Sequence, residues 1–94
     1  MKLLITGGLG FIGSNFILHI IKNYPNYKII NVDDELLGSN HASLVDIKNS
    51  EKYRFVKGNI TDFPLMEKLI QECDQIINFV LIYIFIKFPI LKDH

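Results

Sequence analysis

The sequence predicts an α/β fold: a parallel sheet of about four strands in the order 3-2-1-4, with helices on both faces. Three observations carry this. Short apolar runs alternate along the chain with segments of helical apolar spacing. The first strand-to-helix turn holds glycines at regular intervals, Gly7, Gly10 and Gly13. The second apolar run ends in acid, with Asp33 twenty positions after Gly13. Parallel neighbours joined through helices require right-handed crossovers, and these give the strand order.

Lys2 to Thr6, KLLIT, is a short apolar run bounded by glycine, as a buried parallel strand should be. In the next segment Phe11, Ile12, Phe16, Ile20 and Tyr24 recur at helical spacing, and Pro25 stops that helix. Ile29, Ile30 and Val32 make the second strand, Lys28–Asp33. Arg54–Lys57 is the third. Asp62 is placed to cap the following helix, FPLMEKLIQECD, where Pro64 suits the first turn and Leu65, Leu69 and Ile70 supply an apolar face. The fourth strand runs from Gln75 to about Ile82. Ile76 to Ile86 is nearly all apolar, but its eleven residues fall short of the roughly 20 that a bilayer-spanning helix needs.

Composition narrows the function classes. Ninety-four residues make one small domain. Lys+Arg and Asp+Glu both number 10, so no charge excess points to nucleic acid or an anionic membrane as partner. A single cysteine, Cys73, excludes an internal disulfide and fits a reducing, cytoplasmic setting. MKLLITGG lacks the long apolar stretch and cleavage site of a signal peptide. The histidines, His19, His41 and His94, are scattered, and with one cysteine they make no metal site.

Strand, glycine turn, helix, strand and acid is the context that dinucleotide binding demands. Gly7 allows the sharp turn out of the strand, Gly10 leaves room for a pyrophosphate, and Gly13 lets the helix pack closely. The helix N-terminus offers free N–H groups to the phosphates. The Asp33 carboxylate is suited to the ribose hydroxyls of the adenosine. Asp34 and Glu35 follow it and no arginine stands nearby, a pattern that repels a 2′-phosphate and favours NAD over NADP. The competing reading is ordinary turn glycines with an ordinary strand-end aspartate.

TGGLGFIG matches the loop TGxxGFIG at Thr6, Gly7, Gly10, Phe11, Ile12 and Gly13. Through it the chain resembles the extended short-chain dehydrogenase/reductases, the NAD-dependent nucleotide-sugar epimerases and dehydratases. It stands nearest to the dTDP-glucose 4,6-dehydratases. VDDELLGSNHASLVDI is similar to the family's next segment at Asp33, Asn40, Ser43 and Leu44, with Ser39 where a glycine is usual. YRFVKGNITD resembles its third strand, with Asn59-Ile60 where the family has Asp-Ile against the adenine. Asn59 in place of Asp loses a charge and gains a donor.

The resemblance implies that residues 1–79 are the N-terminal half of an NAD-binding Rossmann domain and that 80–94 are a divergent apolar tail. It implies NAD as cofactor, held by Gly7, Gly10, Phe11, Ile12, Gly13, Asp33, Asn59 and Ile60, with no catalytic residue in the matched part. The family's Tyr-x-x-x-Lys pair and its Thr-Asp-Glu dehydration residues lie further along the family's chains. Tyr83 and Lys87 stand four apart, but in a β-branched and aromatic run unsuited to the helix that pairing needs. The implied function is the NAD-binding segment of a nucleotide-sugar dehydratase, with a nucleotide sugar as partner only if the missing part is supplied. A 4-epimerase-like segment and a non-catalytic dinucleotide-binding module or inactive remnant stand as alternatives. An unpaired strand over 76–86 would drive self-association.

Overall fold

A computed structural model of the chain describes residues 1–35 and 40–79. Four strands form one parallel sheet: β1 (Lys2–Thr6), β2 (Lys28–Asp33), β3 (Tyr53–Lys57) and β4 (Gln75–Asn78), in the spatial order β3-β2-β1-β4. The expected order 3-2-1-4 is thus observed, and it is that of the first half of a Rossmann fold. Registers run Leu3↔Ile29, Ile29↔Tyr53 and Leu4↔Ile76. The expected continuation of β4 through Val80–Ile82 lies outside the described residues, as do Tyr83 and Lys87.

Alternate residues of β1 and β2 feed two cores, because side chains on a strand point to opposite faces. On one face Leu3, Ile5 and Ile29 pack with Ile17 and Ile20 of α1 (Phe11–Asn23), joined by Leu44 from a 3₁₀ segment (His41–Ile47). On the other face Leu4, Ile30 and Val32 pack with Met66 and Leu69 of α2 (Phe63–Glu72). Both faces carry a helix, as expected.

The helix faces differ in detail from the expected ones. In α1 the buried positions are Gly13, Ser14, Ile17 and Ile20, while Phe11, Ile12 and the C-cap residue Tyr24 are exposed. Phe11 and Ile12 lie in the first turn of α1 and join neither buried cluster. In α2 Met66 and Leu69 are buried and Ile70 is exposed. Asp62 caps α2 as expected, its Oδ1 accepting from the Leu65 N–H at 3.2 Å, with Pro64 in the first turn. Cys73 caps the C-terminal end, and burial pushes its thiol pKa up. His19 is exposed on α1, beside Asn23.

Candidate functional site

The sheet delivers the ends of β1, β2 and β3 to one edge, and the glycine turn crosses that edge from β1 to α1. Gly7 takes φ 74°, a left-handed conformation that glycine adopts without steric cost. Its N–H donates to the Val32 carbonyl at 2.9 Å, which extends the β1–β2 ladder into the turn. A side chain at Gly13 would place Cβ 2.7 Å from the Gly7 carbonyl and 2.9 Å from the Gly8 Cα. Gly13 therefore lets α1 close onto the turn itself. At Gly10 a side chain would meet, among the described residues, only the Gly7 carbonyl, 3.5 Å from its Cβ. Unlike Gly8 and Gly13, Gly10 is not held to glycine by a close contact with any described residue.

Two β2 side chains hold the turn. Asn31, fully buried in mid-strand, accepts from the Gly8 N–H at 3.0 Å through Oδ1 and donates from Nδ2 to the Tyr53 hydroxyl at 3.1 Å. A Cβ on Gly8 would lie 2.2 Å from Asn31 Oδ1, so Gly8 is glycine because Asn31 occupies its side-chain space. Burial of Tyr53 pushes its phenol pKa up, and the Asn31 contact opposes that. Asp33, 7% exposed, accepts from the Leu9 N–H at 3.1 Å on Oδ2 and from the Glu35 N–H at 2.8 Å on Oδ1. The Asn40 N–H donates to the Leu9 carbonyl at 3.0 Å. Neither Gly8 nor Asn31 featured among the expected site residues. The available signal was an amide in mid-run, in a strand otherwise built of Ile and Val.

The other expected residues gather around this turn. Phe11 is 83% exposed and Ile12 61%, both at the mouth of the α1 N-terminus. Asn59 and Ile60 follow β3 on the same edge. The Asn59 amide group is engaged locally: Nδ2 donates to Asp34 Oδ2 at 2.9 Å, and Oδ1 accepts from the Thr61 N–H and hydroxyl. Nδ2 keeps one N–H beyond that bond. Ile60 is half-buried against the Val32–Leu69 core. At the end of β1 the Thr6 hydroxyl donates to Asn78 Oδ1 at 2.6 Å, tying β1 to β4.

The acidic run does not act as three equal charges. Glu35 sits at φ 60°. Its carboxylate accepts from His41 Nε2 and lies 3.2 Å from the Lys57 ammonium. His41 first, and Lys57 after it, hold the Glu35 carboxyl below the usual carboxylate range. A lysine therefore stands beside the acidic run, near which the sequence showed no arginine.

Comparison with known proteins reflects this geometry. The family model described as GDP-mannose 4,6 dehydratase matches residues 4–80. The chain belongs to this family. It is 44% identical over 69 residues to dTDP-glucose 4,6-dehydratase 1 of Escherichia coli K12, covering 73% of this chain and 19% of that protein. The crystal structure of dTDP-glucose 4,6-dehydratase from Bacillus anthracis, in complex with NAD, superposes with TM-score 0.79 at 43% identity, over 84% of this chain and 26% of that one. The Streptomyces venezuelae enzyme, also solved with NAD, gives TM-score 0.77 at 35% identity, over 84% of this chain and 26% of that one. The chain thus spans about a fifth to a quarter of the length of these relatives. Among the described residues no group of His, Cys, Asp and Glu is placed to hold a metal, and no helix is long and apolar enough to cross a membrane.

Proposed function

We propose that residues 1–79 form the N-terminal half of an NAD-binding Rossmann domain of the dTDP-glucose 4,6-dehydratase type, and that this segment holds NAD. The observation that carries the reading is the contrast among the glycines. Gly8 and Gly13 are glycine because protein atoms occupy their side-chain space, whereas among the described residues Gly10 faces an opening at the start of α1. That opening suits a pyrophosphate, which would meet backbone N–H groups and the positive end of the α1 dipole. Gly7 supplies the turn, and Phe11 and Ile12 offer apolar surface at the mouth. Asp33 takes the ribose hydroxyls while its bonds to Leu9 and Glu35 fix its position, since an ionised carboxylate has about four acceptor sites. Asn59 and Ile60 border the adenine.

In this family setting bound NAD would supply a reversible hydride acceptor for the sugar. This chain's own residues bind and orient the cofactor. Tyr53 and Lys57 stand four apart, but on a strand that spacing separates them by about 13 Å, beyond mutual reach. Turnover of a nucleotide sugar belongs to an assembly in which the remaining length of the relatives is supplied, and the setting is cytoplasmic. Self-association through 76–86 is part of the same reading. β4 pairs with β1 on one side, no other described strand covers its second edge, and Ile76 is 47% exposed.

Isothermal titration of the purified chain with NAD tests the proposal. Saturable binding, stronger than for NADP, is expected. Absence of saturable heat at millimolar NAD overturns it.

A further inference from the structure

The Glu35 cluster sits where a dinucleotide's 2′ position would be read, and its composition points to a role in cofactor choice. In the β2–β3 register Asp33 is paired with Lys57, and paired residues of parallel strands project to the same face. Lys57 is therefore the cross-strand neighbour of the residue that takes the ribose hydroxyls, and its ammonium lies 3.2 Å from Glu35, two positions further on. A lysine in that place would favour a ribose bearing a 2′-phosphate, because a phosphate is a strong acceptor for an ammonium.

The chain answers this with Glu35. Its backbone is left-handed, uncommon for a residue with a side chain. The Glu35 N–H donates to Asp33 Oδ1, and the Glu35 carboxylate lies between Lys57 Nζ, at 3.2 Å, and His41 Nε2. His41 is itself fixed edge-on against Phe55 of β3, ring centroids 4.7 Å apart. Asp34 is separately engaged by Asn59 Nδ2.

We propose that Glu35 is a specificity-determining residue: by pairing with Lys57 it withholds from a 2′-phosphate the cation that would otherwise attract it. The proposal rests on the dinucleotide reading above. It differs from simple repulsion by a run of acids, because it assigns the effect to a masked lysine.

A double-mutant cycle separates the two. The full chain, Glu35→Gln, Lys57→Met and the double variant are titrated with NAD and with NADP, and a thermal melt of each checks the fold. Masking predicts that Glu35→Gln strengthens NADP binding about tenfold, the worth of one charge-assisted contact, and leaves NAD within about threefold. Lys57→Met alone leaves the ratio near that of the parent chain, and the double variant loses the gain. Unchanged NADP affinity in Glu35→Gln overturns the proposal. So does a gain that survives in the double variant, which would assign the effect to relief of repulsion. A parent chain that binds neither dinucleotide contradicts the dinucleotide reading itself and removes the proposal with it. A parent chain that prefers NAD, with a cycle that shows no coupling, contradicts only the role of Lys57.

Discussion

Replacing Gly8 by alanine should damage the fold, while the same change at Gly10 should not. At Gly8 the new Cβ would lie 2.2 Å from Asn31 Oδ1 and 2.6 Å from Ile17 Cδ1. Both neighbours are fully buried. Asn31 cannot swing away without giving up the Gly8 N–H and the Tyr53 hydroxyl. Overpacking a closed site costs about 1–3 kcal/mol. Orphaning a buried donor costs about 1–3 kcal/mol more. A loss near 3 kcal/mol would lower the melting temperature of a domain this size by more than about 10 °C. At Gly10 the Cβ meets one atom of the described residues, at 3.5 Å, and φ is −71°, which any residue adopts. Its weaker N-cap preference and the reduced freedom of the unfolded chain offset one another to within about 1 kcal/mol. Thermal melts followed by circular dichroism on the full chain and both variants make the comparison. A Gly8→Ala protein melting within about 4 °C of the parent, the shift expected for 1 kcal/mol, would refute the reasoning.

Other perturbations follow from the same contacts. Asp62→Ala removes the acceptor for the Leu65 N–H and should cost about 0.5–2 kcal/mol in urea unfolding, while Asp62→Asn keeps most of that. Asp33→Asn should narrow the preference for NAD over NADP in paired titrations and also lower the melting temperature, because the carboxylate holds the Leu9 and Glu35 amides as well. Cys73 should react with a thiol reagent at pH 8 more slowly in the folded chain than in urea, since burial raises its pKa. The folded state then holds that proton more tightly than the unfolded one. Its contribution to stability is full below the unfolded thiol value of about 8.5 and declines as pH rises through the folded value.

The strand order, the glycine turn and the acid closing β2 were legible because each rests on local rules: apolar run length, glycine spacing and the handedness of crossovers. The α1 core face was less legible. Phe11 and Ile12 fit the helical period, yet they are exposed in the first turn of α1, and sequence period does not report which turns of a helix meet the sheet. The pairing of Gly8 with Asn31 joins residues 23 apart, and no local rule couples a turn glycine to a mid-strand amide. The same holds for Glu35 and Lys57. Their charges are visible in the sequence, but only the β2–β3 register brings them together.

The central claim is that the opening at Gly10 receives a pyrophosphate, and the most direct test is NAD titration of the full chain beside Gly10→Val. Saturable binding by the parent chain and none by the variant is expected, with thermal melts that agree to within a few degrees, because the valine side chain fills ligand space and not core. Retained NAD affinity in a folded Gly10→Val protein would contradict it.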